Sequence, residues 1–114
     1  MLSERERIER LQPKWKIWLE DKGDYVMGPG AFEMLKSINE HGTIAKGAAA
    51  IGMSYRYVWG VVKKIEKELG VKLLETSKGG SAGGGSSTIT ETGLLLLNRY
   101  SSILAAFEKA SLKI

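Results

Sequence analysis

At 114 residues the chain has the length of one domain, and it has no cysteine, which rules out disulfides and thiolate metal centres. Its longest apolar run, Leu94 to Leu97, is far short of a bilayer span. The highly charged opening MLSERERIERLQP lacks the apolar region of a secretory signal, so a cytoplasmic protein with no membrane partner is expected.

Seventeen Lys and Arg against thirteen Asp and Glu give a net charge of +4. Much of that excess is local: residues 54–78 carry Arg56, Lys63, Lys64, Lys67, Lys72 and Lys78 against Glu66, Glu68 and Glu75. Such a balance suits a polyanionic partner and equally suits a solvated helix face.

Residues 1–13 read as a charged arm or short exposed helix, with Ile8 and Leu11 at helical spacing and Pro13 ending it. A small β-hairpin is predicted over 14–27, from the alternation in KWKIWLE, the turn DKGD and the run Tyr25 to Met27. Trp15 and Trp18 are expected to cover one side of the core. Pro29 suits the first turn of the next helix, where Phe32, Leu35 and Ile38 share a face and Gly42 supplies the stop. His41 then lies at a helix C-terminus.

Thr43 caps a short helix, Ile44 to Ala50, which Gly52 ends; Ser54 caps another that runs to about Leu69 before Gly70. On that helix Val58, Val62, Ile65 and Leu69 fall on one side of the wheel with Val61 at the edge. Tyr55 and Trp59 flank this stripe, where packing is expected of both, although with Tyr57 they also have the character of base-stacking aromatics. The opposite side carries Arg56, Gly60, Lys63 and Lys67, and no acid. A glycine inside a helix costs about 1 kcal/mol, so Gly60 points either to close approach of a ligand or to packing against another helix.

Val71 to Thr76 and Ser87 to Thr90 read as short strands joined by KGGSAGGGSS, residues 78–87. Thr90 caps a long helix through at least Lys109. Leu97, Tyr100, Leu104 and Phe107 lie on one of its sides and Leu96 and Ile103 widen the stripe. So broad a face in so small a chain is expected to pair with its copy in a homodimer, the alternative being packing within the chain.

The predicted class is mainly α with small β hairpins: a winged helix-turn-helix over 14–90, with the helix-turn-helix at 43–69 and the wing at 71–90, followed by a dimerisation helix over 91–114. Such an architecture presents its third helix to the major groove and its hairpin to the flanking backbone. Glycines in the wing let backbone N–H groups approach phosphates. Ala48 is small where the two helices cross, while Gly47 departs from the apolar side chain usual there.

An enzyme is disfavoured, since GxxxxG here is followed by Gly85 or Ser86 instead of the P-loop lysine and GxGxxG fails at Thr88. With a single histidine and no cysteine, neither a metal cluster nor a nucleophile with its base is apparent, and no cofactor is expected. A winged helix used for protein contacts, an architectural nucleic-acid-binding role and single-strand binding remain as alternatives. Salt dependence separates DNA binding from apolar protein contacts.

The segments HGTIAKGAAAIGMSYRYVW, KKIEKELGVKLLE and KGGSAGGGSSTITETG together resemble the DNA-binding domain of ModE-type molybdate-responsive regulators, which are similar to the LysR-type winged helix. The resemblance covers roughly Trp15 to Phe107. It implies a homodimeric transcriptional regulator on a partly palindromic double-stranded operator, with Tyr55, Arg56 and Tyr57 at or near the groove. The DNA-binding set expected is Thr43, Ser54, Tyr55, Arg56, Tyr57, Gly60, Lys63, Lys67, Lys78, Gly79 and Gly80. Thr76 stands where such proteins usually carry Arg. Their C-terminal oxyanion-binding domains have no counterpart before Ile114, so molybdate sensing is not carried over and no small-molecule effector is expected in this chain.

Overall fold

The structure is a computed structural model that describes residues 1–76 and 87–114. In chain order the elements are α1 (Glu4–Glu9), β1 (Leu19–Asp21), β2 (Asp24–Met27), α2 (Pro29–His41), α3 (Ile44–Ala50), α4 (Tyr55–Leu69), β3 (Leu74–Thr76), β4 (Ser87–Ile89) and α5 (Glu91–Ser111). β1 and β2 form one antiparallel hairpin and β3 and β4 another, the second registered as Leu74 with Ile89 and Thr76 with Ser87. The fold is a winged helix-turn-helix with an added N-terminal hairpin and a long C-terminal helix.

Four of the five described helices start where a side chain takes an orphan backbone N–H. Ser3, Thr43, Ser54 and Thr90 all accept from the N–H three residues on. α2 instead opens with Pro29 in its first turn and no side-chain cap. Gly42 and Gly70 end α2 and α4 in the left-handed conformation that a side chain would strain.

The core is built from Phe32, Met34, Leu35 and Ile38 of α2, Ile44 and Ala48 of α3, Val58, Val62 and Ile65 of α4, Leu73 and Leu74 at the wing base, and Val26 and Met27 of β2. α2 and α3 approach unusually closely. A Cβ on Gly47 would lie 2.7 Å from both the N and the Cα of Ile38. The departure at Gly47 therefore has a steric cause: backbone meets backbone there. Ser37, itself buried, donates to the Gly47 carbonyl at 2.8 Å and fastens the crossing.

Outside the helix-turn-helix, four expectations need correction. The first hairpin strand begins at Leu19 instead of near Lys14, and Trp15 and Trp18 stay 36% and 48% exposed instead of covering the core. Amphipathic alternation does not show which side of a strand meets the core; here the Trp18 ring turns outward and its Nε1 donates to Glu20. β3 begins at Leu74, not Val71, and β4 ends at Ile89: the next pair in register, Leu73 with Thr90, keeps only the bond from the Thr90 N–H to the Leu73 carbonyl, because the Leu73 N–H is taken by Glu66 and the Lys72 carbonyl by the Thr90 side chain.

The fourth correction concerns α5. Leu97 and Tyr100, expected at a dimer interface, are buried in the core of their own chain. The Tyr100 ring stacks on Phe32 with centroids 4.5 Å apart, and its hydroxyl donates to the Ile17 carbonyl at 2.7 Å. Leu96, Ile103 and Leu104 are half-buried, while Phe107 is exposed.

Gly47→Ala should lower the urea midpoint, with a loss of about 1–3 kcal/mol from overpacking outweighing the roughly 1 kcal/mol of helix propensity that alanine brings. An unchanged or higher midpoint would mean that α2 and α3 separate without cost.

Candidate nucleic-acid interface

α4 owes its position to the stripe Val58, Val62 and Ile65, each at most 3% exposed. With that side buried, the helix geometry turns Arg56, Gly60 and Lys67 outward, and all three are exposed. No described atom lies within 4 Å of a Cβ built on Gly60. Of the two readings open for Gly60, packing against another helix of this chain is thus removed.

Lys63 belongs to the same row but is half-buried. Its Nζ lies 3.0 Å from Oε1 of Glu66 and 5.5 Å from the centroid of the Trp59 ring. Thr43 and Ser54 have their hydroxyls engaged as helix caps, accepting from the N–H groups of Lys46 and Tyr57 at 3.2 and 3.1 Å. Tyr55, Tyr57 and Trp59 are 46%, 58% and 43% exposed, so neither Tyr55 nor Trp59 joins the core, against the packing expected of both. Lys78, Gly79 and Gly80 lie outside the described residues.

A residue without a special place in the sequence pattern joins this helix to the wing. Oε2 of Glu66 accepts from the N–H groups of Leu73 and Leu74, at 2.7 and 3.1 Å. Partial burial pushes the Glu66 carboxyl up, but the Leu74 N–H, Lys63 and the Leu73 N–H outweigh it and hold the group below its ordinary 4.5. Its position on the wheel, at the margin of the apolar stripe, was the available signal.

From the other side, Thr90 donates through Oγ1 to the Lys72 carbonyl at 2.7 Å and through its N–H to the Leu73 carbonyl at 2.9 Å. Gly93 completes the junction: a Cβ there would lie 2.5 Å from Cγ1 of Ile89 and 2.8 Å from the Leu73 oxygen. Lys63, Lys72, Thr76 and Thr90, with Glu75 and Glu91, line an open cleft between α4 and the wing base. Lys72 thereby joins the basic side, which the wheel of α4 had no means to include. Among the described residues, no group of three or more His, Asp or Glu side chains is placed to hold a metal. No helix is long and apolar enough to cross a membrane.

The family model of the bacterial regulatory helix-turn-helix proteins, lysR family, matches residues 30–94. The chain is 32% identical over 92 residues to the molybdenum-pterin-binding protein MopA of Rhodobacter capsulatus, covering 81% of this chain and 34% of that protein. It is 31% identical over 91 residues to MopB of the same organism, covering 74% and 33%. With the DNA-binding transcriptional dual regulator ModE of Escherichia coli it shares 30% over 82 residues, covering 72% and 31%. It thus spans about a third of the length of these curated relatives.

Because the folded pKa of Glu66 is depressed, its stabilisation is complete above about pH 4.5 and is lost as pH falls through the lower folded value. Glu66→Ala should cost about 1.5–3 kcal/mol at neutral pH, the range for hydrogen bonds to a charged group. Denaturant unfolding from pH 7 to pH 3 should show the gap between parent and variant narrowing below pH 4.5; a constant gap would remove the charge from the argument.

Proposed function

Since this chain belongs to the lysR family of bacterial regulatory helix-turn-helix proteins, we propose that it binds double-stranded DNA sequence-specifically, as a transcriptional regulator of the ModE-like kind. The observation that carries this reading is the outward face of α4. It presents Arg56, Gly60 and Lys67 without an acidic side chain among them, beside the exposed Tyr55 and Tyr57. A helix with that face fits the major groove, where guanidinium can make paired hydrogen bonds to guanine and ammonium groups meet phosphates. The open space over Gly60 lets the DNA surface come close to the helix backbone.

The DNA-binding and transcriptional parts of the relatives' names suit this face; molybdenum binding is not assigned to the chain. Arg56 is the base reader in this reading, and Lys67, with Lys78 and the wing glycines Gly79 and Gly80, serves the phosphates. Thr43 and Ser54 act by capping α3 and α4, which aims their first turns. Selection of bound fragments from random duplex DNA tests the function, and recovery of no enriched motif would favour an architectural or protein-binding role.

Dimerisation in this reading uses the outward side of α5. Past the end of the core the stripe that buries Leu97 and Tyr100 comes to the surface at Phe107, 51% exposed, beside the half-buried Ile103, while Leu96 and Leu104 pack against the chain's own core. A palindromic operator requires two copies of α4, which a dimer supplies.

Arg56→Ala should lower discrimination by about 1–3 kcal/mol at one base position per half-site, read by competition between the selected duplex and its single-base variants. Equal binding of parent and variant across all sequences would remove Arg56 as a reader. Phe107→Asp should shift the sedimenting species from dimer to monomer while the far-ultraviolet circular dichroism is retained, and an unchanged dimer would place the interface elsewhere.

A further inference from the structure

The cations on the outward face of α4 are in two different electrostatic states. Arg56 and Lys67 are exposed, and among the described residues neither lies within 4 Å of a carboxylate. Lys63 is 39% exposed in its side chain and already has an anion, Oε1 of Glu66 at 3.0 Å, with the Trp59 ring below it.

That anion is not free to leave. The Glu66 side chain is only 10% exposed, and its second oxygen holds the N–H groups of Leu73 and Leu74 at 2.7 and 3.1 Å. Turning the carboxylate away would leave backbone donors at the wing base without an acceptor. Its charge is therefore fixed beside Lys63, 3.0 Å from Nζ, with the carboxylate buried and the lysine still reaching water. A lysine neutralised in this way carries little of the counterion exchange that drives binding to a polyanion.

We propose that Glu66 is an internal competitor for the phosphate that Lys63 would otherwise contact, so that the group anchoring the wing also limits the affinity and salt dependence of α4. The inference rests on the DNA-binding reading above. It divides the row at Lys63: Lys67 acts on phosphate in the resting protein, and Lys63 acts only when the charge on Glu66 is removed. Glu66 is a positioning residue for the wing and an electrostatic brake on its neighbour.

Glu66→Gln separates these roles, because the amide oxygen still accepts from the two N–H groups while the charge is gone. Binding to a random-sequence duplex of about 30 base pairs, followed by fluorescence anisotropy from about 50 to about 200 mM salt, gives the slope of log affinity against log salt. Glu66→Gln should steepen that slope by about 0.9, so that its advantage over the parent shrinks about 3.5-fold across the range. Lys63→Gln should leave the parent's slope unchanged and abolish the gain in the Glu66→Gln background. Lys67→Gln should flatten the parent's slope by about 0.9.

A purely structural role for Glu66 predicts no steepening, and a folded Glu66→Gln protein with the parent's slope overturns the inference. So does a Lys63→Gln protein whose slope flattens as much as that of Lys67→Gln, a comparison that stands even if Glu66→Gln does not fold. Absence of any duplex binding by the parent is a separate outcome: it overturns the DNA-binding reading and this inference with it.

Discussion

The paired hydrogen bonds from Leu73 and Leu74 to the Glu66 carboxylate set how the helical and sheet parts of this domain sit together. After Gly70 the chain reverses and brings the buried side chains of Leu73 and Leu74 under the core. Their N–H groups come with them, and a buried donor without an acceptor costs about 1–3 kcal/mol. The carboxylate supplies the acceptor from α4, and Thr90 binds the carbonyls of Lys72 and Leu73 from the start of α5. One junction thereby joins the outward-facing helix, the wing base and the long C-terminal helix.

The helix-turn-helix depends on a second constraint, the contact of α3 with α2. At Gly47 the separation is so small that only hydrogen fits between the α3 backbone and that of Ile38. Ala48 is buried beside it and Ser37 spans the crossing. With α3 so close, the turn through Gly52, whose φ is 68°, delivers the chain to Ser54 and starts α4 with its first turn exposed. The outward placement of Tyr55, Arg56 and Tyr57 follows from packing behind them, not from anything in their own side chains.

α5 serves the core and the surface at once. Its inward residues Gly93, Leu97 and Tyr100 close the domain over Phe32 and the wing base, while Leu95 and Phe107 remain exposed. A helical wheel groups Tyr100 with Phe107 because they are seven residues apart. The helix runs past the end of the small core, so the same stripe changes its surroundings along its length.

Caps, stops and apolar spacing made the helix boundaries legible in the sequence: Thr43, Ser54, Thr90, Gly42 and Gly70 act on their immediate backbone neighbours. The order of elements, and the basic side opposite Val58, Val62 and Ile65, followed from the same local rules. What the sequence left open were contacts between residues far apart in the chain. Whether Gly60 packs against a helix, whether Trp15 and Trp18 cover the core and which α5 residues face inward are questions of what lies opposite, and periodicity carries no information about the opposite surface. Glu66 is the clearest case, since its partners are seven and eight residues away across a chain reversal. The sequence by itself determined the elements and their apolar faces, because those depend on short-range backbone chemistry. Only the tertiary structure decided that Glu66 turns inward to hold the wing and Lys63 together, because that choice is made by buried N–H groups that exist only once the chain has folded back.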